Sequence, residues 1–136
     1  MNKKHVLYWL HTSYWMGAWL DLVVGLTMLF PGLFGVSQML SIFSPTPASR
    51  FAFGMGAPVM LGWTILLLWA DRKPLERKSV LLITILVVLG EVANEIVAVR
   101  AGSIPVGTLI PTWILQAAVC GLFLFSYLYA RRSESK

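Results

Sequence analysis

The residues best able to do chemistry stand in strongly apolar surroundings. The segment GEVANEIVAVR, residues 90–100, carries Glu91, Asn94 and Glu95 directly after the apolar run SVLLITILVVL. Two carboxylates four residues apart share one face of a helix. In a low-dielectric environment both do not stay ionised unless a cation or water offsets their charge. Such a group can relay a proton, bind a cation or fix helix packing through hydrogen bonds.

Composition identifies the environment of these residues as a membrane. The chain has 136 residues, of which 57% are hydrophobic and only 12% charged, against about a quarter charged in soluble domains. We therefore expect one integral membrane domain, residues 1–136. The net charge of +5 does not indicate nucleic acid, because the basic residues form short clusters between apolar runs, where they contact lipid head groups.

Four apolar runs are long enough to cross a bilayer as helices. They cover residues 6–30, 51–70, 79–99 and 109–130, and about 20 residues span the hydrocarbon layer. We therefore predict an all-α, four-helix transmembrane bundle. The segment 31–50 between the first two runs is either a plain loop or contains a short surface helix.

Basic residues predict the orientation. With four spans, both termini and the middle turn DRKPLERK share one side. That side carries nine of the eleven Lys and Arg residues, whereas the other side carries only Arg50 and Arg100. Because basic residues concentrate on the cytoplasmic side, we expect both termini in the cytoplasm, and a bacterial inner membrane as the host.

The polar residues of three helices fall at one depth. At 1.5 Å per residue from the cytoplasmic boundary, Asp21 lies about 22 Å deep and Gln116 about 20 Å deep. Glu91 and Glu95 fall at about 18 and 24 Å, with Asn94 between them. These residues predict a polar pocket in the outer half of the membrane.

Neighbouring residues suggest how the pocket is built. Asp21 stands between Gly17 and Gly25, and this small-residue row favours close approach by another helix, for which the third is the expected partner. Arg100 can reach Glu95 from the outer interface. Trp19 and Trp63 lie deep in their helices, where they can attract an amphiphilic cation.

No cofactor or metal is expected. The two histidines, His5 and His11, lie on different faces of one helix, so they do not suit a haem, and no Cys/His spacing indicates zinc. Cys120 is the only cysteine and is interpreted as a packing residue. Neither a nucleophile arrangement nor a phosphate-binding loop is present.

Several segments resemble the DoxX-like group of small bacterial four-helix membrane proteins. They are GLTMLFPGLFG at the end of the first helix, GAPVMLGWTILLLWA with the basic turn, the late acidic residues of the third helix, and PTWILQAAVCGLFLFSYLYARR. The resemblance implies a four-helix bundle. A more distant one, to sterol isomerases and the sigma-2 receptor type of bundle, implies that intramembrane acids beside aromatic residues hold a cationic amphiphile.

The sequence therefore predicts a small membrane protein that binds an amphiphile or lipid-like ligand. The candidate ligand-binding residues are Asp21, Glu91, Asn94, Glu95, Gln116, Trp19 and Trp63. Two alternatives stay open: an accessory subunit of a larger membrane complex without chemistry of its own, and a proton-coupled transporter that works as a homo-oligomer. Whether the protein is an enzyme is not decided by any motif.

Overall fold

Four helices form the described part of the chain, residues 3–30 and 47–134 of a computed structural model. α1 covers Lys3–Leu29, α2 Pro47–Asp71, α3 Ser79–Arg100 and α4 Val106–Glu134. The prediction of an all-helical protein is confirmed for these residues. Residues 31–46, most of the segment 31–50 with its two predicted alternatives, lie outside them.

Three of the helices are long and apolar enough to cross a membrane: Arg50–Asp71 of α2, Ser79–Arg100 of α3 and Val106–Ser133 of α4. α1 does not reach the same apolarity, although it has 27 residues. Its apolar run is diluted by the polar group His11, Thr12 and Ser13, and by Asp21 two to three turns later. Three of the four helices in the described residues therefore identify the chain as a membrane protein.

Local sequence explains where α3 ends and α4 begins. Ser103 N–H donates to Ala98 at 3.0 Å and Gly102 N–H donates to Val99 at 2.9 Å, the paired bonds of a Schellman motif. Gly102 has a φ of +71°, a left-handed conformation that favours glycine. After this turn α4 starts at Val106, three residues before the predicted start.

The chain divides into two compact units. Unit 1 contains residues 1–14 and 70–136, and unit 2 contains Trp15–Trp69. In unit 2, α1 and α2 pack closely along the face of α1 that carries Gly25. A Cβ at Gly25 would meet Leu61 at 3.1 Å, and a Cβ at Gly56 would meet Met28 at 3.3 Å.

α1 and α2 run antiparallel, because later residues of α1 contact earlier residues of α2. Closer to the start of α1, the Thr64 hydroxyl of α2 donates to the Ala18 carbonyl at 3.5 Å. The small residue Gly25 therefore receives α2, whereas the sequence favoured the third helix as its partner. Glycine allows this contact because the backbone of α1 itself forms the surface against which Leu61 packs.

Unit 1 has two ends with different packing. We call the basic end the part formed by residues 3–14, 70–84 and 119–133, and the acidic end the part formed by residues 85–118. Leu10, Tyr14, Leu81, Phe123 and Ala130 are fully buried at the basic end. No residue from 85 to 118 is buried.

Polar contacts reinforce the basic end. Ser13 donates to the hydroxyl of Ser126 at 2.8 Å, and both serines are buried. Tyr14 donates to the Arg77 carbonyl at 3.0 Å, which ties α1 to the turn between α2 and α3. His11 Nδ1 contacts the carboxylate of Asp71. These bonds link segments far apart in sequence, so they fix how the segments of the basic end assemble.

Candidate functional site

The carboxylate of Glu95 is the centre of the polar contacts at the acidic end. Its Oε2 accepts a hydrogen bond from the Trp113 indole N–H at 2.8 Å, and its Oε1 accepts one from the Gln116 amide at 3.2 Å. Residues 113 and 116 are three apart, so both lie on the α4 face that meets α3. Glu95 is therefore held by two donors from one neighbouring helix.

Glu91 lies one helical turn earlier, on the same side of α3, and its situation differs. It is half-buried and interacts electrostatically with Glu95 and with Cys120 of α4. Among residues 3–30 and 47–134, however, no group donates a hydrogen bond to it. Of the two carboxylates that the sequence placed on one face, one is satisfied and the other is not.

Gln116 adds a second acceptor to the contact between α3 and α4. While its amide nitrogen donates to Glu95, its Oε1 atom is shielded from solvent and has no hydrogen-bond partner within the described parts of the chain. A buried amide oxygen without a donor is destabilising by about 1–3 kcal/mol. The α3–α4 contact thus combines an acidic group with an unsatisfied carbonyl, and both require donors.

The amide of Asn94 does not join this cluster. Successive residues of a helix differ in direction by about 100°, so the side chains of Asn94 and Glu95 point in different directions. Its side chain is exposed and makes no hydrogen bond to any residue in the two described ranges. Asn94 shares the depth of the pair Glu91 and Glu95, as the helix rise predicts, but faces away from α4.

Two contacts differ from the sequence interpretation. Trp113 is not among the candidate residues predicted from the sequence, yet it donates a hydrogen bond to Glu95. Its three-residue spacing from Gln116 is the signal that places it on the same face. The suggested ion pair between Arg100 and Glu95 is not formed, since Arg100 is exposed and the two oxygens of Glu95 are occupied by the α4 donors.

The remaining candidates belong to unit 2. Asp21 and Trp63 are half-buried, whereas Trp19 is 59% exposed and lies on a different side of α1 from Gly25. The predicted convergence of Asp21 with Glu91 joins the two units, so it stays a prediction. Within the described residues, no three His, Cys, Asp or Glu side chains are grouped so as to hold a metal ion.

Comparison with known proteins assigns no family. No family model matches the chain, and no curated protein or solved structure is significantly similar to it. Inference about its function therefore rests on its residues and their contacts.

Proposed function

We propose that this protein binds an amphiphile with a cationic, hydrogen-bond-donating head group at the acidic end of unit 1. Glu91 supplies the negative charge and the Gln116 carbonyl supplies a neutral acceptor. Glu95 holds the two helices in place through Trp113 and Gln116. The hydrocarbon tail of the ligand lies among the membrane lipids, which the exposed apolar side chains of α3 and α4 also contact.

The membrane topology is part of the proposal. α1 is the fourth span, because 27 residues at 1.5 Å each extend about 40 Å, enough for the hydrocarbon layer. The excess of basic residues on one side then places both termini in the cytoplasm. The host membrane is the inner membrane of a bacterial cell. The resemblance to the DoxX-like group fits this topology and stays a prediction.

The difference between Glu91 and Glu95 is the observation that carries the proposal. A carboxylate at the centre of a membrane helix costs about 2.5–3.5 kcal/mol. A network that serves helix packing alone has a reason to keep Glu95, which receives two donors, but no reason to keep Glu91, which receives none. A carboxylate that is costly to bury and receives no hydrogen bond from the described residues is best explained by a partner that arrives from outside.

The chemistry of the free groups selects the head group. The Glu91 carboxylate and the Gln116 Oε1 atom are both acceptors, so the ligand must donate. An ammonium group has several N–H donors and a positive charge, and in a low-dielectric site its attraction to a carboxylate is strong. A neutral alcohol matches only the amide oxygen, and an anionic lipid is repelled.

Binding of tritiated dodecylamine to the purified full-length protein in nonionic detergent tests this proposal. We expect saturable binding that Glu91→Gln weakens about tenfold or more, because loss of a charged partner costs about 2 kcal/mol or more. Glu76→Gln is the matched control: it also removes a carboxylate, but from the turn, where Glu76 pairs with Lys73 at 3.0 Å.

Two results contradict the proposal. One is unchanged binding to the Glu91→Gln protein. The other is equal binding of tritiated dodecanol, which has the same chain length without the charge, because it would show that the tail alone is recognised.

A second candidate function is that of an accessory subunit of a larger membrane complex. Glu95 favours it, because both of its carboxylate oxygens already accept hydrogen bonds within the chain. Its contacts with Trp113 and Gln116 resemble a structural clamp between two helices. In this case native purification from membranes recovers stoichiometric partner proteins, and dodecylamine shows no saturable binding. Recovery of the chain without other proteins, together with saturable amine binding, rejects the subunit function.

A further inference from the structure

One face of α3 points away from α4 and carries a polar residue in its middle. Ile83, Leu86, Gly90, Asn94 and Val97 are all exposed, and their spacing of three or four residues places them on one stripe of the helix. We call these five residues the α3 stripe. It is distinct from the face of Glu91 and Glu95, which meets α4.

Asn94 is a polar residue on an exposed stripe that otherwise consists of apolar residues and glycine. Its amide has two N–H donors and a carbonyl acceptor, and none of these is bonded to any residue within 3–30 or 47–134. Polar side chains in membrane helices hydrogen-bond to neighbouring helices. The covering partner must therefore offer both an acceptor and a donor at this depth.

We infer that the α3 stripe packs against the α3 stripe of a second copy of this chain. Two copies with the same membrane orientation are related by a two-fold axis along the membrane normal, so each residue on that axis faces its own counterpart. An asparagine amide is self-complementary, because the N–H of one copy donates to the carbonyl of the other and the reverse. The second copy thus satisfies both needs of Asn94.

Gly90 allows the two helices to approach. A Cβ at this position would meet no atom of the described residues within 4 Å, so none of those residues requires glycine there. Glycine nevertheless is unfavourable by about 1 kcal/mol relative to alanine in a helix interior. Close backbone approach between helices is the use that membrane proteins make of such a residue, and Gly90 lies one turn from Asn94 on the same stripe.

Crosslinking of the full-length protein in lipid bilayers, at high dilution in lipid, tests the dimer. The reporter is Val97→Cys on the stripe in a Cys120→Ala background, treated with a short bismaleimide. The matched control is Ile114→Cys on α4, whose native side chain is 67% exposed. We expect a covalent dimer from Val97→Cys and none from Ile114→Cys.

Added substitutions then locate the contact. Asn94→Leu should lower the dimer constant roughly three- to twentyfold, the range measured for hydrogen bonds between membrane helices, and Gly90→Leu should lower it further by blocking approach. Gly121→Leu on α4 is the control, since a Cβ there also meets nothing within 4 Å. Leucine favours both a helix and hydrocarbon, so loss of folding does not explain a loss of dimer.

The inference is overturned if Val97→Cys gives no dimer, if Ile114→Cys gives as much, or if neither Asn94→Leu nor Gly90→Leu lowers the yield. It is independent of ligand binding, because the α3 stripe does not include Glu91. The Gly90→Leu protein should therefore bind dodecylamine like the unchanged protein.

Discussion

The basic and acidic ends of unit 1 are built from the same two long helices, yet they are packed very differently. At the basic end, the beginning of α1 and the end of α2 join α3 and α4, and side chains such as Phe123 and Leu81 are fully buried. At the acidic end, unit 1 contributes only α3 and α4, and no residue from 85 to 118 is buried. Two helices alone present too little surface to enclose a core.

The comparison shows that the basic end contributes to stability, whereas the acidic end carries the polar groups that are available for binding. The polar groups of the basic end are matched within the chain, as in the bond between Ser13 and Ser126. The acidic end holds acceptors at Glu91 and Gln116, and an amide at Asn94, that have no hydrogen-bond partner among the residues that the structure describes. An unsatisfied polar group destabilises a closed core strongly. It destabilises the protein less where the packing is open and a ligand or another copy can supply the missing partner.

The largest expected effect is a loss of stability from truncation at the basic end. Phe123→Ala removes a fully buried ring and should lower the free energy of unfolding by about 3–5 kcal/mol, as cavities in well-packed cores do. Unfolding by sodium dodecyl sulfate, in mixed micelles, measures the change.

Ile114→Ala, at the acidic end, is the control for this prediction. Because Ile114 is 67% exposed, its truncation should change the free energy of unfolding by less than about 0.5 kcal/mol. Comparable losses for both variants would mean that the two ends do not differ in packing, and the comparison would fail.

A smaller effect is expected at the turn that closes the acidic end. Gly102→Ala places a side chain at a φ of +71°, which costs roughly 1–2 kcal/mol. Gly107→Ala, in the first turn of α4, is the control, since a Cβ there meets nothing within 4 Å and alanine favours a helix. The same detergent titration should show destabilisation by the first substitution and none by the second.

Much of this arrangement follows from sequence because it depends on length, spacing and depth. Four apolar runs gave four helices, with bounds that differ by a few residues where a turn such as that at Gly102 was not anticipated. The depth estimate placed Gln116 in the layer of Glu91 and Glu95, and Gln116 does bind Glu95. Depth along a helix increases by a fixed rise per residue, so a small error in a helix boundary changes the calculated depth only slightly.

Direction around a helix is harder to predict than depth. Asn94 was grouped with Glu91 by depth, but the two side chains differ in direction by about 60°, which is enough to move a side chain from an interface to a surface. Trp113 was overlooked for a related reason. Tryptophan near a helix end usually marks the membrane interface, and only the position of the neighbouring helix shows that its N–H has a carboxylate to meet.

The smallest expected effect concerns this bond and tests whether Glu95 is a clamp. Trp113→Phe removes the indole N–H that Glu95 accepts at 2.8 Å while keeping an aromatic ring, and should destabilise the protein by about 0.6 kcal/mol, the average for polar contacts between membrane helices. A double-mutant cycle with Glu95→Ala isolates the bond. A coupling energy near zero would mean that the bond adds nothing to stability, which removes the structural role assigned to Glu95 and with it the contrast to Glu91. Coupling of the expected size would show that the acidic end uses one carboxylate to join its helices, so that the other is free for a partner.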